Sequence, residues 1–330
     1  MHTRLSLLGC RLHIGGRSLR PGPILLLALT ALATGFCSRS DAQSHPARDD
    51  LPGSAHAATV LDVQGLVATL RPDVIERVLV HSLGRWIADG GQDRLARVNR
   101  AGTAFRIAGP KQTESLVLIE GTVDADEILE PIRSGIPGQP APTLWAHRGV
   151  TLKTLTTARG RAFTVSDFPD GIVLVADHPG NLQGLIRETV GVLGNPSSGY
   201  QQTHGGALES DALIALHVTN PNSLSSVPGM QDIPWEHLVT IRGSLKRSGT
   251  ALELVLDMKA TSMIKARIIY PFLEGMVNRA ADNPDVAPPL RTLLKRIQFG
   301  ISWSTITASV SASVLEIEDL LLYFTRSQEI

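Results

Sequence analysis

The one short motif with catalytic precedent is Ser262-Met263-Ile264-Lys265, an S-x-x-K spacing at the start of a helical pattern. In serine penicillin-recognising enzymes that spacing sets a lysine one turn from a nucleophilic serine. Those enzymes also need an S-D-N-type loop and then a K-T-G strand. Here the nearest approach, Lys153-Thr154-Leu155, lacks the glycine and lies upstream. The plainer reading makes Thr261 or Ser262 a helix cap and Lys265 a solvated side chain. Histidines His45, His56, His81, His147, His178, His204, His217 and His237 are scattered, with no HxH, HxxxH or HExxH spacing to build a local metal site. A long-range set of His147, His178 and Asp177 at strand ends is the one metal arrangement left to consider. His217 alternates with Ile214, Leu216 and Val218, which reads as the outward residue of a half-buried strand.

The acids Glu120, Asp124, Asp126, Glu127 and Glu130 lack the calcium-loop pattern and suit the charged first turn of a capped helix. No G-x-S-x-G elbow, P-loop or G-x-G-x-x-G occurs. No catalytic, cofactor-binding or metal-ligating residue is therefore assigned. The chain balances 31 basic against 31 acidic residues, so nothing marks a nucleic-acid surface.

The first forty residues hold Arg4, Arg11, Arg17, Arg20 and Arg39 and no acid, around the apolar run Ile24 to Phe36. That run is too short for the roughly 20 residues of a spanning helix. It fits a secretory signal, with Ser40 and Ala42 as the small residues before a cut at Gln43. Cys37 follows the run as a lipoprotein cysteine would, but Phe36 stands where such a site needs a small residue. The compact leucine-rich block also argues against an amphipathic mitochondrial leader. Residues 1–42 contain five of the basic residues and one of the acids, so the processed chain carries 26 against 30, a net −4. Cys10 and Cys37 leave with them, which excludes disulfides and thiolate chemistry. The expected compartment is the periplasm or the exterior.

Residues 43–57 read as a flexible lead-in, 58–194 and 210–330 as two α+β modules, and 195–209, NPSSGYQQTHGGALE, as the linker. In the first module, helices are expected after Pro72, over 93–100, from Asp124, and from 179 to 193. Strands are expected at 115–121, 150–156, 162–168 and 171–177, the last two joined by a turn at Phe168-Pro169-Asp170-Gly171. The second module predicts strands at 212–218, 237–246, 250–259, 297–303 and 305–312. Its helices fall at 261–281, 285–296 and 313–325, the last opened by a Ser313/Glu316 capping box. Hairpin links between most strands imply antiparallel sheets with helices packed on one face, and a topology repeated between the halves.

The run from Leu116 through Gly180, and the LELVLDMKA strand with the long helix after it, resemble a class of uncharacterised bacterial envelope proteins. The resemblance implies an export signal and two α+β halves, and carries no functional residue across.

The 261–281 stretch holds Met263, Ile264, Ile268, Ile269, Phe272, Leu273, Met276 and Val277, a stripe wider than a surface helix needs, with Pro271 expected to kink or split it. Core packing is one reading of this stripe. An apolar ligand or self-association is the other, and self-association requires part of the stripe to be exposed. The function expected is that of a non-catalytic exported protein that binds a ligand or serves as a scaffold; the alternative is an exported hydrolase whose active residues are dispersed.

Overall fold

A computed structural model describes residues 54–75, 91–109, 112–157, 160–179, 183–193, 211–226 and 233–326. The proposed signal, the 195–209 linker, most of the helix after Pro72, and His45, His81 and His204 lie outside them.

The chain is α+β. Among the described residues, twelve antiparallel strands form one sheet in the order β11-β12-β10-β9-β8-β1-β2-β3-β7-β6-β5-β4. Strands of the first half are β1 (Ala57–Asp62), β2 (Val98–Gly109), β3 (Gln112–Gly121), β4 (Thr143–His147), β5 (Val150–Thr156), β6 (Arg161–Phe168) and β7 (Ile172–Pro179). Those of the second are β8 (Ile214–Val218), β9 (Leu238–Ser248), β10 (Ala251–Ala260), β11 (Gln298–Ser302) and β12 (Thr305–Ser313). Helices α1 (Val63–Val67), α2 (Gly91–Leu95), α3 (Ala125–Ser134) and α4 (Gly184–Leu193) belong to the first half. Helices α5 (Met263–Asp282), α6 (Pro288–Leu294) and α7 (Val314–Arg326) belong to the second.

The topology repeats. Each half begins at the centre of the sheet, where β1 and β8 pair with Thr59 opposite Leu216. Each then runs outward through two more strands, crosses a helix, and returns from the far edge so that its last strand pairs with its third, β7 on β3 and β12 on β10. A helix closes each half. Pairing of β1 with β8 makes the two halves one continuous sheet.

Strand alternation divides the core in two. The front face carries Leu61, Val117, Ile119, Val173, Val175, Leu252 and Val310, packed with residues of α1, α3, α6 and α7. It continues through Leu216, Leu256, Met258 and Ile306 under Ala266, Ile269 and Leu273 of α5. The back face carries Leu116, Leu118, Leu174 and Ala176 under Leu185, Ile186 and Val190 of α4. Helices therefore cover both faces of the first half, a correction to the expectation of one helical face.

Local signals formed as their chemistry dictates. Asp124 caps α3 by accepting from the Asp126 N–H at 2.7 Å. Ser313 and Glu316 make the capping box reciprocally: the Ser313 N–H donates to Glu316 at 2.8 Å and the Glu316 N–H to Ser313 Oγ at 3.3 Å. Gly171, at φ 70°, turns β6 into β7. One expectation fails, and a second loses one of its two alternatives, the split at Pro271. Residues 98–100 open strand β2, not the end of a helix, because β1 and β3 pair along both of its sides. Pro271 lies inside a single helix. It sits on the exposed side, where water reaches the carbonyl its missing N–H leaves unbonded.

Candidate functional site

The sequence-level candidates separate in space. Ser262 is exposed and caps α5, its Oγ accepting from the Lys265 N–H at 3.2 Å. Lys265 Nζ lies 3.4 Å from His237 Nε2. The serine oxygen is thus engaged with its own helix, and the lysine amine points to an imidazole rather than to that oxygen.

Neighbouring residues of one strand face opposite ways, so His178 and Asp177 cannot converge on one ion. His178 is buried on the back face, where its Nε2 is 3.0 Å from Thr164 Oγ1. That hydroxyl continues to Thr154 Oγ1 at 2.8 Å, which accepts from Trp145 Nε1 at 2.9 Å, a polar row across β7, β6, β5 and β4. Asp177 faces the front, where burial raises its pKa and the Arg161 guanidinium partly offsets this. His147 lies in edge strand β4, opposite Val150. His217 is buried and not outward, because β8 lies mid-sheet between Ala58 and Arg242. Burial, and then Arg106, lower the pKa of His56.

Three of the acids around α3 are tied to cations. Glu127 is bidentate to Arg97, whose hydrogen bond lowers its pKa, Glu130 pairs with Arg133, and Asp126 receives Lys153 Nζ at 2.5 Å. No cluster of three metal-ligating side chains occurs among the described residues.

What the second half presents instead is an apolar corner. Ala266, Ile269, Leu273 and Val277 of α5 are buried, as core packing requires, but Met263 is exposed, Ile264 is 68% exposed and Ile268 55%. The β11–β12 turn lies beside the helix start, because the Ala260 N–H donates to the Ser304 carbonyl at 2.7 Å. That turn carries Trp303, 83% exposed and at φ 52°, a left-handed conformation unfavourable for a bulky residue. Ile301, two residues earlier on the outermost strand, is also exposed. Single exposed apolar residues are ordinary, but several from two elements at one end of a sheet form a patch. The sequence signal for the outer strand was available: Gln298-Phe299-Gly300-Ile301-Ser302 has no charge and no proline, and a Trp-Ser turn follows it.

No helix among the described residues is long and apolar enough to cross a membrane.

Fold and surface together define an α+β protein built on one wide antiparallel sheet, with an exposed apolar corner at one edge. No family model and no curated protein matches the chain. Among solved structures it is similar to TP0453: crystal form III aligns at 12% identity and a TM-score of 0.49, over 84% of this chain and 97% of that one. Crystal form I aligns at 13% identity and a TM-score of 0.44, over 86% and 99%.

Proposed function

We propose that this is a non-catalytic exported protein of the cell envelope that works by binding, and that its binding surface is the corner formed by the start of α5, the β11–β12 turn and strand β11. The observation that carries the reading is Trp303: a large aromatic held almost fully in solvent on a strained turn, beside exposed Ile301 and Met263. Neither its burial nor its backbone stabilises the fold, whereas aromatic residues of this kind anchor interfaces. The export part of the reading rests on the basic, acid-free first forty residues and their apolar run.

The test places a photo-crosslinking amino acid at position 303 in the full chain, expressed with its own leader. Position 144, exposed on the opposite edge strand, serves as the control. Adducts are expected from 303 and not from 144. Equal labelling, or none at 303, would overturn the assignment of the surface. Intact mass of the same material is expected to begin at Gln43; a mass retaining residues 1–42 would sink the export reading.

A further inference from the structure

We propose that the occupant of this corner is a second copy of the chain, joined edge to edge through β11 about a two-fold axis at Gly300. The inference rests on the binding reading above and names its partner. Sheet edges in soluble proteins are normally protected by charges, prolines, bulges or cover. Edge strand β4 follows Pro140 and Pro142, and the Arg187 guanidinium lies 5.8 Å from the ring centre of its Trp145. Edge strand β11 has no charge and no proline, and its pairing with β12 is regular from Gln298–Ser309 to Ser302–Thr305.

Five residues centred on Gly300 are complementary to their own reversal. An antiparallel pair with Gly300 opposite Gly300 sets Phe299 against Ile301 on the front face and Gln298 against Ser302 on the back. Apolar meets apolar and polar meets polar, each twice, as a two-fold interface requires. Trp303 follows at the end of this pairing, in the turn just beyond Ser302, which lies opposite Gln298 of the second copy. At the axis, a Cβ on Gly300 would touch nothing in its own chain, so the space there is open to a neighbour.

Helix α5 completes the match. It lies over β10, β12 and β11, and its Tyr270 meets Phe299 edge-on at 6.2 Å. Helical spacing puts Met263, Arg267 and Glu274 on the same flank as Tyr270, toward the sheet edge. A two-fold reverses the helix direction, so the Arg267 end of one flank faces the Glu274 end of the other. With strands ~4.8 Å apart, the two helices would run about 14 Å from each other, a gap these long side chains can fill. Ile264 and Ile268 point away from the sheet and remain at the rim.

Sedimentation equilibrium of the processed chain tests this. The wild type is expected to be a dimer at about 100 μM, where even an interface of micromolar Kd is largely filled. Gly300→Asp leaves the monomer's own contacts alone but sets two carboxylates on the axis, and is expected to weaken association roughly tenfold or more. Gly300→Lys is expected to do the same. Mixing G300D with G300K sets opposite charges face to face and should restore a heterodimer, which only an axis at this residue predicts. A wild type that stays monomeric, or variants that associate like it, would overturn the second copy as occupant. In that case crosslinks from position 303 to some other molecule would leave the binding surface standing, whereas their absence would remove both.

Discussion

The two halves of the sheet share a strand path and differ in where the last helix lands. In the first half α4 turns onto the back face, covering Leu116, Leu118 and Leu174, so those strands are buried from both sides. In the second half α7 packs on the front, beside α6, and among the described residues none of β9–β12 contributes to the back-face core. The strand sequences match this outcome. Strand β7 reads IVLVADHP, a nearly continuous apolar run, whereas β12 reads TITASVSAS, with Ile306, Ala308, Val310 and Ala312 inward and serine or threonine outward. A strand covered on both faces cannot alternate, and one bare on a face must. One topology thus yields a closed half and an open half, decided by a single helix.

The largest contrast should come from truncating the back face in each half. Leu116→Ala removes a fully buried side chain between sheet and α4 and is expected to cost about 2–5 kcal/mol. Val255→Ala, on the half-exposed back face of β10, is expected to cost about 1 kcal/mol or less. Urea denaturation of both variants measures the difference; equal losses would mean that the second half's back face is covered.

Each closing helix is also tied down by one buried glutamate. Glu114 of β3, 2% exposed, accepts from the Gly184 N–H at the start of α4 at 2.8 Å and from Arg106 Nε at 2.8 Å. Glu318 of α7, 1% exposed, accepts from the Arg71 N–H at 2.6 Å and from Arg71 Nε at 2.8 Å, which ties the second half to the first. Glu114→Ala is expected to cost about 2 kcal/mol, below the 3–5 of a fully buried broken pair because Arg106 keeps partial access to water. Glu318→Ala should cost slightly less, about 1–2 kcal/mol, because Arg71 is exposed. Hydrogen exchange separates the two. It should rise in 184–193 for the first variant and in 314–326 for the second, and uniform acceleration in both would show that neither contact is local.

Such pairs mark the limit of what the chain discloses by itself. The Ser313/Glu316 box, the Asp124 cap and the Phe168–Gly171 turn were legible because each is settled within three or four residues. The 263–282 helix was legible from its period, and so was the repetition of strands and helices in the two halves. The faces chosen by α4 and α7 were not, because they depend on partners such as Glu114 with Gly184 and Arg71 with Glu318, far apart in sequence. Strand β2 was masked for the same reason: Val98-Asn99-Arg100-Ala101 has weak local preference and becomes a strand through its neighbours. Of the candidate site, the α5 stripe was visible, but which of its residues stay outside was not. Ile264 and Ile269 are alike in the sequence, and only packing separates them.

Acid should act on the two halves in opposite senses at named carboxylates, loosening the second at Glu316 and relieving the first at Asp177. The Ser313 N–H, then its hydroxyl and Arg296, hold the Glu316 carboxyl below the usual glutamate range. Its stabilising share is present above that range and is lost as pH falls through the folded value. Burial raises Asp177, so the folded state takes up its proton first, and the cost of ionising it disappears as pH falls. Ser313→Ala, expected to cost about 1 kcal/mol at neutral pH, removes the hydroxyl but keeps the backbone N–H, so it should reduce only the hydroxyl's share of the acid-side loss contributed by α7 and leave the Asp177 contribution unchanged. Thermal melts of wild type and variant between neutral and acidic pH give the comparison, and parallel pH curves would remove the Ser313 hydroxyl, leaving its N–H, from the account.

The smallest effect is the most direct probe of the open face. Ser311 is exposed on β12 and sits opposite Glu253 of β10. Lysine placed there faces a carboxylate across a bare antiparallel pair, which is worth about 0.2–1 kcal/mol at most and less in salt. Ser311→Lys should therefore leave stability unchanged or raise it by up to about 0.5 kcal/mol, and Ser311→Glu should lower it by a similar amount. Added salt should close the gap between the two variants, because exposed charges are screened. A loss above about 1 kcal/mol for both variants would require something packed on this face, since a surface substitution with water on one side has no mechanism for so large an effect. The sign of the Lys–Glu difference reports on strand register, and its size on whether water reaches the face.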